Sequence, residues 1–100
     1  MSSHDYQLIV SPQAQQNIID ILRYTGETWG QNQLLIYRDK IDEALNNICQ
    51  NPLLGHVNSE LPATHRLYLV GSHVVVYRMK GDLISVVRIL HQRMSLTRHV

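Results

Sequence analysis

The second half of the chain contains arginine, histidine and tyrosine side chains of the types needed to act on a phosphodiester. They are Arg66, Arg88, His91, Arg93 and either Tyr68 or Tyr77. Cleavage of an RNA backbone needs a base for the 2′-hydroxyl proton, an acid for the leaving oxygen and cations for the charge on phosphate. His91 and the arginines would supply all three. The pattern permits a ribonuclease without specifying one, because any basic sheet with a histidine would satisfy it.

Other catalytic and metal-binding patterns are missing from the sequence. No two of the six histidines have the i, i+4 spacing of a helical zinc pair, and the single Cys49 leaves no cysteine pair. A Gly-rich phosphate loop and a Gly-x-Ser-x-Gly motif are also absent. We therefore assign no catalytic residue and expect no metal and no cofactor. Cys49 is interpreted as a small apolar side chain late in a helix.

Three runs rich in aliphatic residues predict a β-meander in the second half. They cover residues 66–70, 73–80 and 83–90, with Gly71 and Ser72 in the first turn and Gly81 and Asp82 in the second. Such short connections make neighbouring strands antiparallel.

Alternation along the last predicted strand assigns its side chains to two faces of the sheet. One face receives Ile84, Val86, Arg88 and Leu90, and the other receives Leu83, Ser85, Val87, Ile89 and His91. Arg88 would therefore lie among aliphatic side chains, where its guanidinium must find a partner or reach water.

The first half predicts a strand followed by two amphipathic helices. Residues 6–10 alternate as a strand, and Ser11 and Pro12 are typical of a helix start. Apolar residues then recur at helical spacing, at Ala14, Ile18, Ile21, Leu22, Thr25 and Trp29. Gly30 ends this helix.

A second helix is expected from a cap at Asn32 to about Gln50, before Pro52. Its predicted buried stripe is Leu34, Tyr37, Ile41, Ala44, Leu45 and Ile48, which leaves Leu35 and Ile36 outside. The short link between the helices makes them an antiparallel hairpin.

Residues 1–100, 44% of them apolar, therefore suit a single α+β domain in two layers. An N-terminal strand and the helical hairpin would pack on a C-terminal antiparallel sheet, in the order β-α-α-β-β-β.

Charge is divided unevenly along the chain. Residues 1–50 hold three Lys or Arg and six Asp or Glu, a net charge of −3, whereas residues 51–100 hold six and two, a net charge of +4. The basic half predicts contact with an acidic partner or a phosphate backbone, although its cations would also serve simply to solvate an exposed sheet. No apolar run suggests a signal peptide or a membrane span, so we expect a cytoplasmic protein.

Short motifs spread over nearly the whole chain form a recognisable combination. They comprise Ser11, Pro12, Ala14, Tyr24, Trp29, Gly30, Gln33, Tyr37, Leu45, Asn51, Pro52, Gly55, Arg66, Val70, Gly71, Ser72, His73, Tyr77, Arg78 and residues 87–94. This combination resembles the ParE branch of the RelE/ParE toxins of bacterial type II toxin-antitoxin modules. The resemblance implies a toxin that inhibits DNA gyrase by binding it or its complex with DNA, and that forms a hetero-oligomer with a ParD-like antitoxin.

The resemblance also bears on the residues that would carry these functions. The expected target-binding or antitoxin-binding residues are Arg66, Arg78, Arg88, His91 and Arg93. An acidic antitoxin segment would also cover apolar surface such as Leu35 and Ile36. The alternative is a RelE-like mRNA endoribonuclease, but the lysines of those relatives have no counterpart here. A third interpretation is an inactive copy kept for antitoxin binding and autorepression.

Overall fold

The computed structural model describes residues 5–100. Its elements are β1 (Gln7–Val10), α1 (Pro12–Trp29), α2 (Gln31–Gln50), a 3-10 turn (Pro52–Leu54), β2 (His65–Val70), β3 (His73–Lys80), β4 (Leu83–His91) and α3 (Leu96–His99). The predicted two-layer α+β class and its β-α-α-β-β-β order are confirmed. The 3-10 turn and α3 were not predicted. No helix in residues 5–100 is long and apolar enough to cross a membrane.

The helical hairpin forms largely as its sequence signals indicate. The Ser11 hydroxyl accepts a hydrogen bond from the Ala14 N–H at 3.0 Å, and Pro12 occupies the first turn of α1. The predicted cap at Asn32 is wrong, because α2 begins at Gln31 with Gly30 before it. Gly26 allows the helices to approach closely, since a Cβ there would lie 2.8 Å from Cδ1 of Leu34.

The main core lies between the hairpin and one face of the sheet. Its largest fully buried side chains include Tyr77, Ile41, Ile48, Ile84, Ile89, Val75 and Val86. Trp29 departs from the predicted stripe, because its side chain is 71% exposed. Helical periodicity identifies a face of a helix but does not say whether another element covers the whole of it.

The sheet is mixed rather than purely antiparallel. Its strand order is β1-β4-β3-β2, and β1 runs parallel to β4 with Val10 beside Val86. The predicted meander of β2, β3 and β4 is antiparallel, as expected from its tight turns. The N-terminal strand therefore joins the same sheet as the meander and forms one of its edges.

A β-bulge interrupts β4 at the point where β1 ends. The neighbouring β3 residues Val76 and Tyr77 pair with Arg88 and Val86, so Val87 is an extra residue in β4. The start of α1 holds this region, since the Ser11 hydroxyl donates to the Val87 carbonyl at 2.8 Å. The same helix supplies Asn17, whose Oδ1 accepts the Ile89 N–H at 3.0 Å.

The bulge overturns the face assignment predicted for Arg88. Strict alternation placed Arg88 with Ile84 and Val86, whereas the extra residue turns Arg88 to the face opposite the helices. Its Nε–H donates at 3.0 Å to Oδ1 of Asn17, the α1 side chain that also accepts the Ile89 N–H. On the face away from the helical hairpin, Nη1 donates to the His99 carbonyl at 2.8 Å. The guanidinium thus holds α3 against the sheet.

A second, smaller core covers part of the face that points away from the hairpin. It consists of Leu61, Val74, Val76 and Leu90, with Leu67 and Leu96 packed against it. Leu61 comes from the loop before β2 and Leu96 from α3. These two segments cover the end of the sheet that contains the β2–β3 turn.

We predict that Asn17→Ala lowers the free energy of unfolding by about 1–3 kcal/mol, because it removes the acceptor of the Ile89 N–H and the Arg88 Nε–H. Asn17→Asp keeps an acceptor oxygen and should remain close to the original stability. Urea unfolding measures both. Gln16→Ala is the control on the exposed side of the same helix, with an expected change within about 0.5 kcal/mol. Equal stability of Asn17→Ala and the parent chain would contradict this role for Asn17.

Candidate recognition cleft

A cleft of about 370 Å³ opens between the helical hairpin and the β2–β3 turn. It is lined by Tyr24, Thr25, Trp29, Gln33, Tyr37, Ser72, His73 and His91. All of these except Thr25 are among the motif residues that the sequence scatters over α1, α2, the β2–β3 turn and the end of β4. The fold thus brings distant motif residues to one surface.

Two aromatic side chains stand largely in solvent at this cleft. Tyr24 is 67% exposed and Trp29 is 71% exposed. Large exposed aromatic side chains are a feature of contact surfaces, because they bury much area when a partner binds and lose few rotamers.

The β2–β3 turn fits against Tyr37 and the residue after β4. Gly71 has φ +57°, and a Cβ there would lie 2.6 Å from the Tyr37 hydroxyl oxygen, so only glycine suits both the turn and the contact. The Gln92 side chain donates to the Gly71 carbonyl at 2.9 Å, and the Gln92 N–H donates to the Ser72 carbonyl at 3.0 Å. These bonds hold the turn beside His91.

Tyr37 orients His73 at the floor of the cleft. Its hydroxyl donates to the Val70 carbonyl at 3.1 Å and lies 2.5 Å from Nδ1 of His73. The Tyr37 hydroxyl has one proton, and it donates that proton to the Val70 carbonyl. In the hydrogen bond between Tyr37 and His73, the hydrogen must therefore be on Nδ1 of His73. In the neutral ring, Nε2 is then the hydrogen-bond acceptor.

His73 and His91 form a neighbouring pair of imidazoles. Their ring centroids lie 5.4 Å apart in an edge-to-face arrangement, and Nδ1 of His91 accepts the Arg93 N–H at 3.2 Å. Burial lowers the pKa of His73 below its usual 6.5, and the positive charge of protonated His91 lowers it further. His73 is therefore a neutral ring at pH 7.

The cleft has the chemistry of a recognition surface. It offers exposed aromatic faces, a neutral imidazole, the Gln33 amide and, in the turn after His91, the exposed Arg93. In the described part of the chain, no group of three or more His, Cys, Asp or Glu side chains is placed to hold a metal ion.

The structure does not bring the predicted site residues together. Arg66 lies on β2, where its Nη1 donates to the Gly55 carbonyl at 2.7 Å. Arg78 is exposed on β3, on the face opposite the helices, and Arg88 holds α3 as described above. Only His91, with Arg93 two residues later, belongs to the cleft region.

The loop beside Arg66 is held by a buried tyrosine. The Tyr77 hydroxyl donates to the Pro52 carbonyl at 2.5 Å and accepts the Gly55 N–H at 2.9 Å. Burial is the main cause that raises the pKa of Tyr77. Arg66 and Tyr77, both considered for phosphodiester chemistry, are instead bonded to the backbone of residues 52–55.

Reasoning from the residues alone missed most of the cleft. Tyr24, Gln33 and His73 were recognised only as parts of a motif, Tyr37 was correctly assigned to the buried stripe of the second helix but not to a cleft, and Trp29 was assigned to the core. The available signal was the motif itself, since an aromatic pair in a helical hairpin and Gly-Ser-His in a turn have no obvious shared packing role.

The fold and the cleft together define a small α+β protein with a cleft lined by aromatic and imidazole side chains. Residues 8–96 match the family described as "ParE toxin of type II toxin-antitoxin system, parDE". The chain is 34% identical over 93 residues to Toxin ParE1 of Mycobacterium tuberculosis (strain CDC 1551 / Oshkosh), covering 92% of this chain and 95% of that protein. It is 32% identical over 91 residues to Toxin ParE1 of Caulobacter vibrioides, covering 91% and 94%.

A solved structure described as "Chromosomal ParDE TA system from P. aeruginosa" has the same fold. It aligns with a TM-score of 0.76 at 23% identity and covers 89% of this chain and 98% of its own. The chain therefore belongs to the ParE toxin family of type II toxin-antitoxin systems, which confirms the family inferred from the motif.

We predict that His91→Gln raises the pKa of His73 but leaves it below 6.5, because the charge of His91 is removed and burial remains. Titration of the imidazole resonances by NMR measures this. His56→Gln, at an exposed histidine outside the cleft, is the control and should leave the His73 pKa unchanged.

The same pair should influence stability at acidic pH. The folded-state pKa of His73 lies below its unfolded value of 6.5, so the unfolded chain binds more protons between the two values. The corresponding stability is present above pH 6.5 and is lost as pH falls through the folded-state pKa. His91→Gln should make this loss smaller in urea unfolding at a series of pH values. An unchanged His73 pKa and an unchanged pH dependence would contradict the coupling.

Proposed function

We propose that this protein is the toxin of a bacterial type II toxin-antitoxin system, that it inhibits DNA gyrase by binding, and that a ParD-like antitoxin neutralises it in the cytoplasm. The observation that carries the proposal is the convergence of the family motif at the cleft. Residues from four separate segments meet there and leave two aromatic side chains exposed. A surface of this kind supports an inhibitor that works by contact.

The surroundings of the cationic side chains argue against the ribonuclease alternative. Arg66 and Arg88 are each bonded to a backbone carbonyl, and neither lies with His91. Phosphodiester cleavage needs a base, an acid and a cation around one phosphate. The dispersed positions of these groups support inhibition by binding rather than by RNA cleavage.

Trp29 and Arg93 are the side chains best suited to contact gyrase or gyrase-bound DNA. Tryptophan and arginine contribute large shares of binding free energy at protein interfaces. Trp29 offers an uncovered indole, and Arg93 offers a charge that no carboxylate in residues 5–100 pairs with. His91 stands at the cleft in the same turn region.

We predict that the purified protein abolishes supercoiling by gyrase and causes cleaved plasmid DNA to accumulate. Trp29→Ala should raise the concentration needed for half-maximal inhibition about thirtyfold, the factor for a side chain that contributes about 2 kcal/mol to binding. Leu53→Ala, which removes a side chain that is 65% exposed but lies outside the cleft, should leave inhibition unchanged.

Normal supercoiling at a large molar excess of the folded protein would contradict the gyrase proposal. Cleavage of a defined mRNA in a translation extract, lost in His91→Ala and Arg66→Ala, would replace it with the ribonuclease. Expression without antitoxin that leaves growth unaffected would instead favour an inactive, regulatory copy.

A further inference from the structure

A groove crosses the part of the sheet that neither the hairpin nor the second core covers. It consists of two adjoining depressions of about 390 and 380 Å³, which share Arg78 and Ser85. The side chains that matter here are Ile9, Pro12, His65, Arg78, Lys80 and Val87, and we call this surface the cationic groove. It lies at the β3–β4 turn, whereas the cleft lies at the opposite end of these strands.

The two cations of the groove are available to a partner. Arg78 and Lys80 are exposed, and neither forms an ion pair with any carboxylate in residues 5–100. They stand two residues apart on one face of β3, which separates their Cα atoms by about 6.6 Å. His65 adds little positive charge at pH 7, because burial and then the charge of Arg78 lower its pKa.

The walls of the groove are aliphatic. Ile9 is 45% exposed on one side, and Pro12 and Val87 continue the apolar surface beside Arg78. Among residues 5–100, no Tyr or Trp side chain lines either depression, and the imidazole of His65 is the single ring there. Nucleic acid surfaces rely on denser positive charge and often on aromatic stacking. Two cations beside an aliphatic wall fit a polypeptide that alternates carboxylates with aliphatic side chains.

The outer surface of α2 is a weaker site for such a polypeptide. Leu35 and Ile36 are exposed there as expected, and the neighbouring cations Arg38 and Lys40 are outnumbered by Asp39, Asp42 and Glu43 on the same helix. Their carboxylates would repel an acidic segment. The cationic groove combines apolar area with the complementary charge.

We propose that the cationic groove binds an acidic, aliphatic segment of the antitoxin, with two carboxylates placed to meet Arg78 and Lys80. The inference rests on the proposed function and adds the surface and the chemistry of the contact. An extended segment places alternate side chains about 6.6 Å apart, so an acidic-x-acidic pattern matches the two cations. His73, in the cleft, is about 23 Å along β3 from Lys80. The segment therefore anchors the antitoxin away from the cleft.

The test compares the parent chain with the double variant Arg78→Glu, Lys80→Glu. The probe is the full-length protein encoded by the reading frame beside the toxin gene, and binding is measured by calorimetry at low and high salt. The double variant should bind about a hundredfold more weakly, because attraction becomes like-charge repulsion. Added salt should weaken binding of the parent chain more than binding of the variant. In the gyrase assay, correspondingly more of the partner should be needed to relieve inhibition by the variant.

The matched control is Arg23→Glu, Arg38→Glu, which makes the same change in net charge at exposed arginines on the helices. Its affinity for the partner should change less than about threefold. Circular dichroism and urea unfolding verify that both double variants are folded.

Each contrary result has a distinct meaning. Equal binding by the parent chain and the groove variant would overturn the groove assignment and leave the proposed function intact. Failure of the parent chain to bind the partner would overturn the antitoxin part of that function together with the inference. A loss confined to binding of a 20-base-pair DNA duplex would identify a nucleic acid surface, and loss of gyrase inhibition by the groove variant would identify a target surface. Either would overturn the inference.

Discussion

One extra residue in β4 determines which side chains meet on both faces of the sheet. Val87 enters the strand where β1 ends, and the backbone around it is held by Ser11 and Asn17 of the α1 segment. Beyond the bulge the faces are exchanged, so Arg88 turns away from the helices and His91 turns toward His73. The cleft and the attachment of α3 therefore depend on the same irregularity, as is common for bulges near functional surfaces.

The sequence predicted the elements whose signals are local. Pro12, Gly30 and Pro52 mark helix boundaries, and the glycine turns define the meander. The bulge could not be predicted in this way, because the Ser11 contact that holds it spans 76 residues. Parallel pairing of β1 with β4 is equally non-local, and α3 has only four residues. His91 was recognised as a candidate, whereas its partners Tyr37 and His73 meet it only through tertiary packing.

The arginines illustrate why residue type alone is a poor guide to function. Arg66 and Arg88 have the chemistry of phosphate-binding residues, yet each is bonded to a backbone carbonyl that keeps a loop or α3 in place. Arg78 and Arg93 are exposed, at opposite ends of the sheet. In the proposed account, the first belongs to the antitoxin surface and the second to the target surface. In this account, the antitoxin binds the toxin at the end of the sheet with the cationic groove, and the aromatic cleft lies at the other end.

Site-specific cross-linking to gyrase would test the central claim, that the cleft is the target surface, most directly. A photoreactive amino acid introduced in place of Trp29 should form a cross-link with gyrase in the presence of DNA. The same group in place of Leu53, an exposed position outside the cleft, should form far less. Efficient cross-linking from position 53 with none from position 29, in proteins that both still bind gyrase, would contradict the account.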